Sequence, residues 1–208
     1  MAYNVLIVDD QTISRQLFET FVASSDRYAL AASVETAKYA DAYCAGGKVD
    51  LVLMDVVMND GSNGLDAAER IKAAYPRVKI IVVTSMPDSV ILKRAREIGV
   101  DSFWYKEAQS APMLEVMDRT MAGEHIFPNS PPVTRFGLAE NTELTERETE
   151  VLRLLAQGLT DREIGEALFM SPGTVLYHIS NLLDKTGYAS RTELAVNAVR
   201  SGVALPDG

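Results

Sequence analysis

The sequence predicts an α/β doubly wound parallel five-stranded domain followed by an all-α four-helix domain with a helix-turn-helix. Three observations lead there. Short apolar runs alternate with helical spacings five times in the first 122 residues. Proline, glycine, serine and asparagine then gather in GEHIFPNSPPVTRFGLAEN. After that stretch only helical periodicity recurs. The expected organisation is a first domain over 1–122, a linker over 123–143 and a helical domain over 144–208.

Tyr3–Val8 is the first apolar run, and Ile13, Leu17, Phe21 and Val22 give Gln11–Ser24 a helical face. A strand over Tyr28–Val34 and a helix over Thr36–Ala45 follow. Val49–Met54 reads as a strand buried on both faces, as in a parallel sheet, and a helix around Leu65–Tyr75 comes next. Val78–Thr84 (VKIIVVT) is the clearest buried strand, with a helix over Asp88–Ile98 behind it. Asp101–Tyr105 is a short strand, and Ser110–Met121 closes the series as a helix. In the second domain Thr145 and Glu148 form a capping pair at a helix start. Helices are expected to about Gln157, then over Thr160–Leu168, Ser171–Thr186 and Arg191–Arg200, punctuated by Gly158, Ser171-Pro172 and Gly187.

Composition narrows the function. With 208 residues, 47% hydrophobic and 24% charged, the chain has enough apolar content for packed cores. No apolar stretch approaches the ~20 residues that span a bilayer, and MAYNVLIVDD reaches two acids too early for a signal peptide. A single cysteine, Cys44, allows no internal disulfide and fits a reducing cytoplasm. His125 and His178 lie far apart and give no support to a zinc site.

In a doubly wound sheet, reactive groups collect at the carboxyl ends of the strands. Those ends carry Asp9, Asp10, Asp55, Thr84 and Lys106, drawn from four strands. Clustered carboxylates repel and call for a cation or a shared proton. A hard ion such as Mg2+ suits them, since it takes a few carboxylate oxygens and keeps waters elsewhere. Each residue alone has an ordinary explanation: Asp9-Asp10 as a helix cap, Thr84 as a strand end, Lys106 as a solvated charge, Phe103 as core. Their joint order is what sets them apart.

That order resembles the receiver domain of bacterial two-component response regulators. The resemblance implies that Asp9 and Asp10, with Asp55, hold Mg2+. It implies that Asp55 accepts a phosphoryl group from a sensor histidine kinase, and that Thr84 and Lys106 engage the phosphoryl oxygens. Phe103 would be the aromatic switch partner of Thr84, and Ser85 the small residue leaving room beside it. One stretch departs from the family: Asn59 replaces the usual proline after Met58, and NDGSNG is one residue longer before Gly64. A phosphatase with an aspartate nucleophile is a competing reading, but it needs a second carboxylate two residues on, where Val57 stands.

TDREIGEALFMSPGTVLYHISNLLDKTG has helix-turn-helix spacing, with Ile164, Ala167 and Leu168 on one face and Val175, Ile179 and Leu182 on the next. The segment resembles the LuxR-type domain of the NarL/FixJ subfamily through Leu144-Thr145, Arg147-Glu148, Glu150-Val151-Leu152, Gly158, Glu163-Ile164, Leu168, Ser171, Thr174-Val175, His178 and Arg191. The resemblance implies a recognition helix over Pro172–Thr186 that binds double-stranded promoter DNA. Thr174, Val175 and His178 would face the DNA, with Asn181, Lys185 and Arg162 near its backbone. It implies a homodimer through Leu194, Ala195, Ala198 and Val199 on the last helix. Against this stand the plainer readings: Val175 as core, His178 as structural, and the last-helix residues packing on the domain's own core. Leu176 replaces the family's usual lysine and would meet a thymine methyl or a protein partner. From Ala139 onward six Lys/Arg face eleven Asp/Glu, a net of −5, so DNA affinity should be weak without phosphorylation or dimerisation. Control by protein partners without phosphorylation is the alternative.

Overall fold

A computed structural model describes residues 2–106 and 112–203. Its described residues form two compact units, one of 2–85, 89–106 and 112–130, the other of 86–88 and 131–203.

The first unit is a five-stranded parallel sheet in the order β2-β1-β3-β4-β5. Its strands are β1 (Tyr3–Val8), β2 (Tyr28–Val34), β3 (Leu51–Asp55), β4 (Lys79–Thr84) and β5 (Ser102–Tyr105). The helices are α1 (Thr12–Ala23), α2 (Ala40–Cys44), α3 (Gly64–Ala74), α4 (Ser89–Ile98) and α5 (Met113–Met121). Alternation along each strand feeds two cores. Leu6, Val8, Val52, Met54, Ile80 and Val82 pack with Leu65, Ile71 and Leu92 of α3 and α4 on one face. Val5, Ile7, Leu51, Leu53, Ile81 and Val83 pack with Phe18, Val22 and Met117 of α1 and α5 on the other. Every residue of β3 is buried, as its unbroken apolar run predicts.

Several boundaries differ from expectation for identifiable reasons. The helix expected from Thr36 begins only at Ala40, because Thr36 and Ala37 are engaged by the β3–α3 loop. On α1 the buried stripe is Phe18 and Val22, whereas Ile13 is 85% exposed and Leu17 45%. The start of the helix expected at Ser110 lies outside the described residues, and its described part begins at Met113.

The second unit holds α6 (Glu146–Ala156), α7 (Asp161–Leu168), α8 (Pro172–Thr186) and α9 (Arg191–Ser201) around one apolar core. Reciprocal capping boxes start α6 (Thr145 with Glu148) and α7 (Thr160 with Glu163). Ser171 caps α8, with Pro172 at the position where proline costs no hydrogen bond. Between α7 and α8 the chain turns through Phe169, whose φ of 54° is the one positive value among the described non-glycine residues. Gly165 makes that turn possible: a Cβ there would sit 2.6 Å from the Met170 carbonyl oxygen. Part of the proline-rich stretch read as linker is ordered within this unit. Arg135–Phe136 (β6) pairs antiparallel with Ala139–Glu140 (β7), and the Phe136 ring is fully buried, 5.3 Å from that of Tyr188. Among the described residues no helix is long and apolar enough to cross a membrane.

Candidate functional site

At the carboxyl edge of the first unit, β1 delivers Asp9 and Asp10, β3 delivers Asp55, β4 delivers Thr84, and the turn after β5 delivers Lys106. Oxygens of Asp9, Asp10 and Asp55 lie within 4.8 Å of one another. The Lys106 ammonium donates to Asp55 Oδ2 at 2.7 Å and to Asp9 Oδ2 at 2.8 Å. Its main-chain N–H donates to the Thr84 carbonyl at 2.9 Å, so the β4–β5 pairing itself sets where the lysine emerges. Thr84 is buried.

Asp55 is 5% exposed. Burial pushes its carboxyl up to about 6 and the Asp9 charge adds to this, while Lys106 and the Val56 N–H oppose it. Lys106 moves up as well: burial alone would lower it, but the Asp55 and Asp9 carboxylates outweigh burial and hold it protonated. The causes differ, burial at Asp55 and the two neighbouring carboxylates at Lys106, but both groups lie in a pocket where three carboxylates face one ammonium. That donor set fits a small hard divalent cation, which takes carboxylate oxygen and would restore the balance.

Sequence reasoning missed the pocket's supporting contacts. Asp9 also accepts from the Gln11 N–H at 2.9 Å and from the Ser14 hydroxyl at 2.5 Å, and the Arg15 guanidinium donates to its carbonyl. Asp9 is therefore tied to the start of α1 while facing the site. Ser14, a turn into α1, is recognisable only once the helix phase is known. Asp10 accepts from the main-chain N–H of Asn59, a backbone contact that no residue pattern encodes. Phe103 is buried, its ring centroid 4.9 Å from that of Tyr105 and 6.4 Å from that of Phe127.

In the second unit the expected contact residues divide. Thr174 and Leu176 are exposed on α8, with Leu176 at 53%. His178 and Asn181 are half-buried and Arg162 on α7 is exposed. Val175 is not on the surface: it is fully buried with Ile179 and Leu182, at the spacing that makes a helix's inner stripe. The same correction applies to α9, where Leu194 and Ala198 are fully buried in the unit's own core and cannot face a second copy. Ala195 is half-buried, and Val199 stays exposed at 39% beside an unanticipated Val196 at 50%. Tyr177 was also missed. It is 63% exposed and stands on α8 opposite the Val175–Ile179–Leu182 stripe.

Lys185 and Arg162, expected near phosphates, are engaged within the unit, as are Arg147 and Arg191. Lys185 donates to Glu148 at 2.7 Å and to the Glu143 carbonyl at 2.9 Å. Although burial raises the Glu148 carboxyl, Lys185 and Thr145 outweigh it and hold it below the usual range. Arg147 pairs with Glu150, Arg162 with Glu166 and Arg191 with Asp161.

A parallel sheet with an acidic, lysine-bridged edge, in one chain with a capped helix-turn-helix, defines a two-unit signalling protein with a receiver and an effector module. Family models agree: residues 5–118 match the response regulator receiver domain, and 142–198 match the luxR family of bacterial regulatory proteins. The chain belongs to the response regulators with a LuxR-type effector, a family of transcription regulators rather than enzymes. It is 31% identical over 203 residues to the response regulator protein VraR of Staphylococcus epidermidis, covering 95% of this chain and 97% of that one. VraR of Staphylococcus aureus matches to the same extent. Among solved structures, RcsB of Salmonella enterica serovar Typhimurium, bound to a promoter with a phosphomimetic, superposes with a TM-score of 0.61 at 19% identity over 98% of this chain and all of that one. The response regulator ChrA of a heme-sensing system gives 0.51 at 23% identity, over 97% of this chain and 98% of that one. At such identities these two likenesses concern the fold.

Proposed function

We propose that this chain is a cytoplasmic transcription regulator switched by phosphorylation of Asp55. The observation that carries the reading is the Asp55 carboxylate, buried at the end of β3, held by Lys106 and flanked by Asp9 and Asp10. Asp55 would attack phosphorus as the bond from phosphorus to the donor histidine nitrogen breaks, leaving an acyl phosphate on the carboxylate and the electron pair on the imidazole. Lys106, already between Asp9 and Asp55, is placed to follow the new charge, and Thr84 to donate to a phosphoryl oxygen. Mg2+, held by Asp9, Asp10 and Asp55, would neutralise charge on the transferred group. The acyl phosphate would carry about two negative charges where the carboxylate carried one, and that added charge with its new oxygens would bias Thr84 and Phe103 between positions.

Thr174, Leu176, Tyr177, His178 and Asn181 form the α8 face we assign to promoter DNA, as RcsB, a protein of this fold, is solved on DNA. Dimerisation would use Val199 and Val196 of α9. The test is incubation with acetyl phosphate and Mg2+, followed by intact-mass measurement and gel shift. Wild type should gain one phosphoryl group and bind DNA more tightly, and Asp55→Ala should do neither. No mass gain on wild type sinks the reading. One observation favours a second: the α8 face presents Leu176 and Tyr177, while nearby cations are paired internally. Control through a protein partner would show as DNA binding that ignores the phosphoryl donor and has little salt dependence.

A further inference from the structure

We infer that the main-chain amide of Asn59 is a positioning group for the divalent cation, fixing the Asp10 carboxylate in its ligating orientation. This rests on the reading that the acidic pocket takes such a cation. The Asn59 N–H donates to Asp10 Oδ2 at 2.5 Å, across 49 residues of sequence. Asp10 is only half-buried at the end of β1, so without a fixed partner its carboxylate could rotate among solvated rotamers. An ionised carboxylate offers about four acceptor positions, so one amide orients it and leaves the rest for a metal. A proline in place of Asn59 would have no N–H to give.

The amide can do this because its loop is tied down on both sides. The Gly61 N–H donates to the Met58 carbonyl at 3.1 Å, and the Gly64 N–H to the Val56 carbonyl at 2.7 Å. Gly61 takes a φ of 78° to close the turn. Asp60, next to Asn59, accepts from the Thr36 hydroxyl at 2.6 Å and from the Ser62 N–H and hydroxyl at 2.9 and 2.6 Å. Ser62 in turn accepts from the Ala37 N–H at 3.1 Å. The β3–α3 loop is thus clasped to the β2–α2 loop, and that clasp holds Asn59 over Asp10. The loop's added length therefore has a use: it supplies the Asp60–Ser62 half of the clasp. Groups that orient metal ligands in this way are typically worth about 10- to 100-fold in metal affinity.

The experiment is calorimetric titration of the full chain with Mg2+ alone. Asn59→Pro should bind roughly tenfold more weakly than wild type, at the lower end of the range for ligand-orienting groups. The conservative Asn59→Ala, which keeps the amide, should bind as wild type does. The charge-neutral double variant Thr36→Val/Ser62→Ala loosens the clasp and should weaken binding by a few-fold. It carries the test if Asn59→Pro fails to fold by circular dichroism. Parity of Asn59→Pro with wild type, or an equal loss in Asn59→Ala, overturns the inference, as does parity of the double variant. Wild type failing to bind Mg2+ at all overturns the underlying cation reading, a separate and recognisable result.

Discussion

The two units place their working residues under opposite physical regimes. At the sheet edge Asp9, Asp55 and Lys106 are almost wholly withdrawn from water, and each side chain's position is fixed by named partners. On α8 the working face is open: Leu176 and Tyr177 are more than half exposed, and the core is satisfied without them. A buried charged site is tightly constrained, since an unpaired carboxylate there costs several kcal/mol. An exposed face can drift at little cost in stability, which is how Leu176 can stand where the resemblance leads one to expect lysine.

If that contrast is right, substitutions at the pocket should register in stability and those on α8 in binding. The largest effect belongs to Gly64, where a Cβ would lie 1.8 Å from the Asp55 carbonyl oxygen. Gly64→Ala should cost about 3 kcal/mol or more in urea unfolding. Lys106→Met leaves Asp9 and Asp55 facing each other without a cation. It should cost about 3 kcal/mol in metal-free buffer at pH 8, and less at pH 5, where a carboxyl can take up a proton.

Asp55→Asn should act in the other direction. The folded-state carboxyl lies near 6, above its ordinary 3.8, so the folded protein takes up this proton first as pH falls. The cost of ionised Asp55 is therefore present above about pH 6 and disappears on falling toward 3.8. In metal-free thermal melts Asp55→Asn should add up to about 3 kcal/mol at pH 8 and well under 1 kcal/mol at pH 4. A stabilisation independent of pH would mean that packing, not charge, is responsible. The smallest change in stability is expected on α8. Leu176→Lys should shift it by no more than ~0.5 kcal/mol, yet steepen the dependence of log affinity for DNA on log salt by about 0.9. A large stability loss there would break the contrast.

The same contrast explains what could be read from sequence. β3 and β4 are continuous apolar runs, and five polar residues at successive strand ends have few places to go in a doubly wound sheet. Val175, Leu194 and Ala198 were harder, because an apolar residue on an amphipathic helix belongs to its own core or to a partner according to helix phase. Here Val175 shares the inner stripe with Ile179 and Leu182, and Leu194 and Ala198 sit one turn apart on the inside of α9. The late start of α2 was hidden because Thr36 and Ala37 would suit a helix but are held by Asp60 and Ser62 instead. The Asn59 contact was illegible in principle, since every residue but proline carries the same N–H.

The small ribbon at 135–140 decides where the helical unit can be cut. A fragment beginning at Leu144 looks sensible from the helix pattern, but it would leave behind Phe136, which is fully buried against Tyr188 and the α6–α9 core. It would also lose the Leu138 N–H that donates to the Thr186 carbonyl at 2.8 Å, near the end of α8. Truncating a buried phenylalanine costs about 3–5 kcal/mol, comparable with the whole stability of a domain this small. An effector fragment that aggregates or binds nothing would then report a missing aromatic plug, not an inactive recognition helix. Fragments meant to isolate DNA binding should begin before Thr134, whose N–H donates to the Asn141 side chain at the ribbon's open end.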